Sequence, residues 1–146
     1  FVPEARTLSD CLRDTASPAA REGLLAAVGV AIQRCHEGGL VHRDLNAKNI
    51  IARALGDGID VRVVDLDGAE LGARLTTGQR LAQLRRLGRS LYKEGVMPAR
   101  LGPAEFEGFV DRALERPLSA RRRAWFRLSF GAALAWHSLW WPSRSR

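Results

Sequence analysis

The feature that most constrains this fold is a polar loop that precedes two short apolar runs, within residues 40–67. Residues 49–52 and 61–66 are predicted to be β-strands joined by a Gly-Asp-Gly turn at 56–58. Such a hairpin returns the end of its second strand to the start of its first, so we expect Asp65 near Asn49 and Asp44. Two carboxylates and an amide oxygen are hard ligands suited to Mg²⁺, and one carboxylate would remain free to orient a nucleophile. The sequence therefore predicts a magnesium site beside the hairpin.

The loop begins with the run His42-Arg43-Asp44-Leu45. With Asn49, this run resembles the His-Arg-Asp-Leu-x-x-x-Asn catalytic loop of protein kinases, and Asp65 resembles the metal-binding aspartate of their Asp-Phe-Gly motif. The next two positions differ from that motif: Leu66 and Asp67. The resemblance implies that Asp44 is the catalytic base, and that Asn49 and Asp65 hold the Mg²⁺ ions that bridge the phosphates of ATP. The alternative is a polar loop whose side chains only cap turns. The second aspartate and the strand context argue against it.

The residues of these two motifs match a smaller family than the protein kinases in general. His-Arg-Asp-Leu-Asn-Ala-Lys-Asn, followed by Asp-Leu-Asp, is similar to the lipopolysaccharide core kinases, and especially to those that act on 3-deoxy-D-manno-octulosonic acid (Kdo). Residues 80–93 are similar to the arginine-rich helix of that family, and residues 3–8 to its hinge between lobes. The resemblance covers about residues 1–93. It implies ATP-dependent phosphorylation of a Kdo sugar on a lipid A precursor.

We expect a mainly α-helical fold with a small β-hairpin, which is the C-terminal lobe of a protein-kinase-like fold with the N-terminal lobe missing. Residues 1–116 would form the lobe, with the catalytic loop at 42–49. The two lysines are Lys48 and Lys93, and neither a lysine nor a Gly-x-Gly-x-x-Gly stretch precedes the loop. Kinases use such elements to hold ATP. We therefore expect this chain alone to bind ATP poorly and to be inactive.

Helices are predicted from apolar periodicity and from their end signals. Ser17-Pro18 begins one that Gly38-Gly39 ends. Others are predicted at 8–13, 77–94 and 103–116. The helix at 77–94 has one leucine face, and its arginines are expected mostly elsewhere: Arg80, Arg85, Arg86 and Arg89. They are either solvated charges or contacts for the phosphates and carboxylates of an acceptor.

Lys48 lies four residues after Asp44, inside the predicted catalytic loop. We include it with Asp44 among the candidate catalytic residues, because a cation there could face the transferred phosphate or an anionic sugar carboxylate. A solvated loop lysine is the alternative. The two cysteines are expected to be reduced, apolar helix residues: Cys11 and Cys35.

The formal net charge is +7, and all of the surplus lies after residue 115, because residues 1–115 contain 16 basic and 16 acidic side chains. Residues 117–146 are predicted to form a basic, tryptophan-rich helix. Its apolar stretch at 128–141 is too short to span the hydrocarbon core. It would lie on the inner membrane surface or pack as the last helix of the lobe.

The expected protein is thus cytoplasmic and peripheral on the inner membrane of a Gram-negative bacterium. We expect no nucleic acid as a partner, since the basic tail lacks a recognised reading element. Two other functions stay open. One is another sugar kinase of the lipopolysaccharide core, such as a heptose kinase, and the other is a kinase-like binding module without activity.

Overall fold

The computed structural model describes residues 5–114 and 116–140, except for the side chains at 133, 134 and 136–140. The helices are α1 (Leu8–Asp14), α2 (Pro18–Glu37), α3 (Thr77–Lys93), α4 (Pro103–Ala113) and α5 (Ala120–Trp140). The strands are β1 (Arg6–Thr7), β2 (Leu40–Val41), β3 (Ile50–Leu55), β4 (Gly58–Val63) and β5 (Glu70–Leu71). The chain divides into two compact units, Phe1–Arg116 and Pro117–Arg146.

The β3–β4 hairpin is present, but its strands lie closer to the turn than predicted. They pair antiparallel from Ile50↔Val63 to Leu55↔Gly58, so the turn contains only Gly56 and Asp57. Gly56 has φ 55°, which suits the two-residue turns that follow the twist of a hairpin. The predicted strand at 61–66 is therefore wrong at its end, because pairing stops at Val63.

Three two-residue strands were not predicted. β1 pairs with β3, so the first sheet has the order β1-β3-β4, and β2 pairs with β5 in a second sheet. The expected fold of helices with one hairpin was thus incomplete. Strands this short carry no periodic signal, since alternation needs about four residues to be visible.

Two glycines approach each other beside the second sheet. Gly39 has φ 77°, and its carbonyl accepts a hydrogen bond from Gly72 N at 3.0 Å. A Cβ atom at Gly39 would lie against the carbonyl oxygen of Gly72, well inside van der Waals contact. Both the backbone conformation and the close approach therefore require glycine at position 39.

We expect Gly39→Ala to lower the free energy of unfolding by about 2 kcal/mol, through backbone strain and this clash. Urea denaturation measures the change. The control is Gly23→Ala, because an added Cβ at Gly23 in α2 meets no atom within 4 Å. That control should be neutral or stabilising, as alanine favours a helix. Equal losses in the two variants would contradict this expectation.

The long helices largely follow the predicted boundaries. Ser17 caps α2 by accepting a hydrogen bond from Ala20 N at 3.4 Å, and Gly38 ends the helix. α3 begins at a capping box formed by Thr76 and Gln79. α4 ends at Ala113 rather than at 116 as predicted.

The leucine face of α3 forms part of the core, with four side chains between 0% and 5% exposed: Leu81, Leu84, Leu87 and Leu91. The prediction that Arg80 lies away from this face was wrong. Arg80 is 4% exposed, and its Nε donates to the Leu75 carbonyl at 3.4 Å. Arg80 precedes Leu84 by four residues and therefore shares its face.

In the C-terminal helix α5, some apolar side chains are buried and others are exposed. The rings of Phe126 and Phe130 stack with centroids 5.7 Å apart, whereas Trp125 and Leu128 are exposed. The last part of the predicted tail, residues 141–146, lies outside the described residues. Within the described part of the chain, no helix has both the length and the apolar character needed to cross a membrane.

Candidate active site

The imidazole ring of His42 joins the two ends of the candidate site. His42 is 3% exposed, and its Nδ1 accepts a hydrogen bond from Asp44 N at 3.2 Å. Its Nε2 lies 3.1 Å from the Val64 carbonyl, so Nε2 carries the hydrogen that it donates there. The residue before Asp65 and the backbone of Asp44 thus contact the same ring.

Asn49 makes a second connection between these segments. Its Nδ2 donates to the Asp44 carbonyl at 3.0 Å, and its own carbonyl accepts from Val64 N at 2.9 Å. Its side chain is 9% exposed. The side chain of Asn49 therefore contacts the backbone of Asp44 directly. Asp65 follows Val64, whose backbone is hydrogen-bonded to both His42 and Asn49.

Asp65 has an uncommon backbone conformation, with φ 59°. For a residue other than glycine, the left-handed region costs about 1–3 kcal/mol and is concentrated at functional sites. Its side chain is exposed, two residues beyond the end of β4. Aspartate adopts this region more readily than most residues do, and the exposed carboxylate takes no part in packing.

The carboxylate of Asp44 is exposed and accepts a hydrogen bond from Asn46 Nδ2 at 2.9 Å. Asn46 Oδ1 accepts from the backbone N of Lys48 at 2.9 Å and of Asn49 at 3.1 Å. Asn46 thus fixes the turn of the loop and the orientation of Asp44. Its role was not predicted, although asparagine commonly bonds to the backbone two residues later.

Two side chains at this end of the hairpin carry oxygens of the kind that Mg²⁺ prefers. Asn49 uses its amide nitrogen on the Asp44 carbonyl, which leaves Oδ1 as a hard oxygen ligand, and Asp65 adds an exposed carboxylate. Mg²⁺ is typically bound by one or two carboxylates while it keeps several waters. Among the residues described, there is no cluster of three or more His, Cys, Asp or Glu side chains suited to a metal.

Lys48 contacts the end of α3. Its Nζ lies 3.1 Å from Glu94 Oε1, and 67% of its side chain is exposed. Arg13 Nη2 lies 3.1 Å from the other oxygen of Glu94. This ion pair was not among the alternatives considered for Lys48, which were a phosphate contact and a solvated loop lysine.

Polar side chains of α3 hold the loop at residues 42–49 along its length. Gln83 Oε1 accepts from His42 N at 2.9 Å, and Ser90 Oγ accepts from Ala47 N at 3.0 Å. With Glu94, these residues are separated by seven and eleven positions, which places them on one helical face. These contacts were not predicted, because the sequence does not show that the loop lies against this face of α3.

Arg43 connects the loop to β5 through an exposed ion pair with the carboxylate of Glu70. Together with the contact of His42 with the Val64 carbonyl, this pair links the loop to the segments on either side of Asp65. An exposed pair of this kind contributes little stability by itself. Its effect is to restrict where the loop can lie.

Two known proteins resemble this chain. A solved structure, described as WaaP in complex with acyl carrier protein, aligns with a TM-score of 0.71 at 19% identity, over 90% of this chain and 58% of that one. Sperm motility kinase Z of Mus musculus is 39% identical over 83 residues, which are 57% of this chain and 14% of that protein. The chain thus spans about half or less of each of these proteins. The structural likeness shows that this chain and the WaaP structure share a fold of helices and small antiparallel sheets.

The sequence model of one protein family matches residues 2–108, which include the catalytic loop, the hairpin and Asp65. That family contains phosphotransferases of lipopolysaccharide biosynthesis, in agreement with the resemblance noted from the loop motifs. The match covers more than half of the chain. The chain belongs to the lipopolysaccharide kinase (Kdo/WaaP) family.

Proposed function

We propose that this chain carries the catalytic loop of a kinase that transfers the γ-phosphoryl group of ATP to a Kdo sugar on a lipid A precursor. The observation that carries the proposal is the hydrogen-bond network through His42 and Asn49, which ties the segments of Asp44 and Asp65 together. Family membership supports the phosphotransferase class. The assignment of Kdo as the acceptor sugar rests on the residues of the loop motifs and their resemblance to Kdo kinases.

Asp44 is the proposed base. Its exposed carboxylate accepts the proton of the acceptor hydroxyl, the hydroxyl oxygen forms a bond to the γ-phosphorus, and the bond to the β-phosphate oxygen breaks to release ADP. Asn49 and Asp65 would hold Mg²⁺, which supplies charge neutralisation at the phosphates when bound. The chain's own contribution is to position and orient the reacting groups, since phosphoryl transfer needs little covalent chemistry from the protein.

We assign Lys48, which lies four residues after Asp44, the role of a cation that stabilises negative charge during the transfer. Its ammonium is exposed and paired with Glu94. A cation there would favour anionic oxygens of the acceptor or of the transferred phosphate, as charge-assisted hydrogen bonds are stronger than neutral ones.

We further propose that residues 1–116 are the C-terminal lobe of the kinase fold. No lysine or glycine-rich phosphate loop precedes Asp44 in this sequence, so the 146-residue chain alone should bind ATP poorly and be inactive. Residues 117–146 would contact the cytoplasmic surface of the inner membrane through their arginines. An acyl carrier protein, which the solved WaaP structure contains, is a candidate partner.

Phosphotransfer from labelled ATP tests this function, with the full-length gene product and three acceptors: Kdo–lipid A, a heptose-containing core and a peptide mixture. We expect label in Kdo–lipid A. Label in the heptose acceptor alone would replace Kdo with heptose, and label in peptides would overturn the sugar assignment. A protein that binds these acceptors without transfer would be a kinase-like binding module.

A further inference from the structure

Four charged side chains form an alternating row beside the catalytic loop, which we call the Lys48 cluster: Asp10, Arg13, Glu94 and Lys48. Arg13 lies 2.8 Å from Asp10 Oδ1 and 3.1 Å from Glu94 Oε2. Lys48 Nζ lies 3.1 Å from Glu94 Oε1. Each oxygen of the Glu94 carboxylate therefore has its own cation.

The position of the Glu94 side chain does not stabilise α3. It is the C-terminal cap of α3, where the helix dipole disfavours a negative side chain. Arg13 offsets this, because its Nη2 also donates to the Glu94 backbone carbonyl at 2.9 Å. The Glu94 side chain is 25% exposed, against 39% for Arg13 and 67% for Lys48. Glu94 is thus the fixed member of the row, and Lys48 is its solvent-facing end.

Lys48 and the proposed magnesium ligand Asn49 contact different segments of the protein. Lys48 and Asn49 are neighbours, yet Asn49 contacts the Asp44 carbonyl whereas Lys48 contacts the end of α3. Ser90 holds the preceding backbone against the same helix through Ala47 N. In an in-line transfer, the acceptor approaches opposite the leaving group. Since Lys48 contacts α3 and does not share the contacts of Asn49, its ammonium is available to the acceptor.

We propose that Glu94, held by Arg13, is a positioning residue that fixes the Lys48 ammonium for an acceptor bearing an anionic oxygen near its reacting hydroxyl. This inference rests on the proposed function. An ammonium has three donors, and the Glu94 contact uses one of them. The remaining donors and the exposure of Lys48 allow a carboxylate or phosphate of the acceptor to bind without breaking the pair with Glu94.

Steady-state kinetics of the full-length gene product test the inference, with Lys48→Met, Glu94→Gln and the double variant. We expect each change to raise the KM for Kdo–lipid A about tenfold, with less than a twofold change in the KM for ATP. The double variant should be no worse than Lys48→Met alone, because Glu94 acts through Lys48. Glu22→Gln is the matched control, since it removes a carboxylate 2.6 Å from Arg112 in an exposed ion pair elsewhere.

An acceptor without phosphate groups separates the two sources of anionic oxygen. If Glu94→Gln still raises the KM for this phosphate-free acceptor, Lys48 binds the sugar carboxylate. If the effect disappears, Lys48 binds a phosphate. Both results support the inference.

Other outcomes overturn it. Additive losses in the double variant, or equal increases in both KM values with a lower melting temperature, would assign Glu94 a structural role only. An unchanged acceptor KM would remove its role altogether. A wild-type protein that transfers phosphate to no sugar acceptor would overturn the proposed function itself, and this inference with it.

Discussion

Replacing Asp44 with asparagine is expected to lower the kcat of phosphoryl transfer about a thousandfold, the range typical of a lost general base. The amide keeps the size of the carboxylate, and its oxygen can still accept the hydrogen bond that Asn46 donates at 2.9 Å. What it loses is the ability to accept the hydroxyl proton. Transfer to Kdo–lipid A at saturating ATP measures the effect, with the melting temperature as a check on folding.

The matched control for this change is Asp57→Asn at the turn of the hairpin. Asp57 is also exposed, but it lies at the opposite end of β3 and β4 from Asp44. We expect its kcat to equal that of the wild-type protein. If Asp44→Asn kept a third or more of the wild-type kcat, Asp44 would not be the base and another residue would have to accept the proton.

His36 should make the protein markedly less stable in mild acid. It is 1% exposed in α2, and neither of its ring nitrogens has a hydrogen-bond partner among the described residues. Burial, aided by the nearby positive charge of Arg80, lowers the pKa of His36 from 6.5 to about 4. The unfolded chain therefore binds a proton at a higher pH than the folded protein does. Stability is full above pH 6.5 and falls between 6.5 and 4.

The size of this effect follows from the pKa difference, and the total loss of stability reaches about 3 kcal/mol once the pH lies below both pKa values. Urea denaturation at about pH 7 and about pH 4.5 measures most of it. His36→Leu, which places an apolar side chain at this buried position, should lose about 2 kcal/mol less than the wild-type protein between these two values. Parallel losses in the two proteins would show that His36 is not the group responsible.

The parts of the fold that were predictable from sequence are those fixed by local chemistry. Ser17 and Pro18 begin α2, Gly38 ends it, and the glycines at the turn specify the hairpin, because each acts on its own backbone. The hairpin likewise brings Val64, the residue before Asp65, against Asn49, since the two ends of a hairpin must meet. The boundaries of β4 were less predictable, as pairing rather than composition decides where a strand stops.

The parts that could not be predicted depend on contacts between distant elements. The burial of Arg80 and the docking of the loop on Gln83, Ser90 and Glu94 arise only once α3 lies against the loop. In the sequence, these residues look like ordinary polar positions on a surface helix. Their spacing along α3 becomes informative only when the position of the loop is known.

Because α3 contributes to both the core and the support of the loop, heating should affect catalysis before it unfolds the protein. The leucines of α3 anchor the interior, while polar groups on the same helix hold the loop in register. A slight rotation of α3 within a softened interior would misalign Asp44 before any unfolding could be detected. On gentle heating, catalysis should therefore be lost earlier than the circular dichroism signal of the helices.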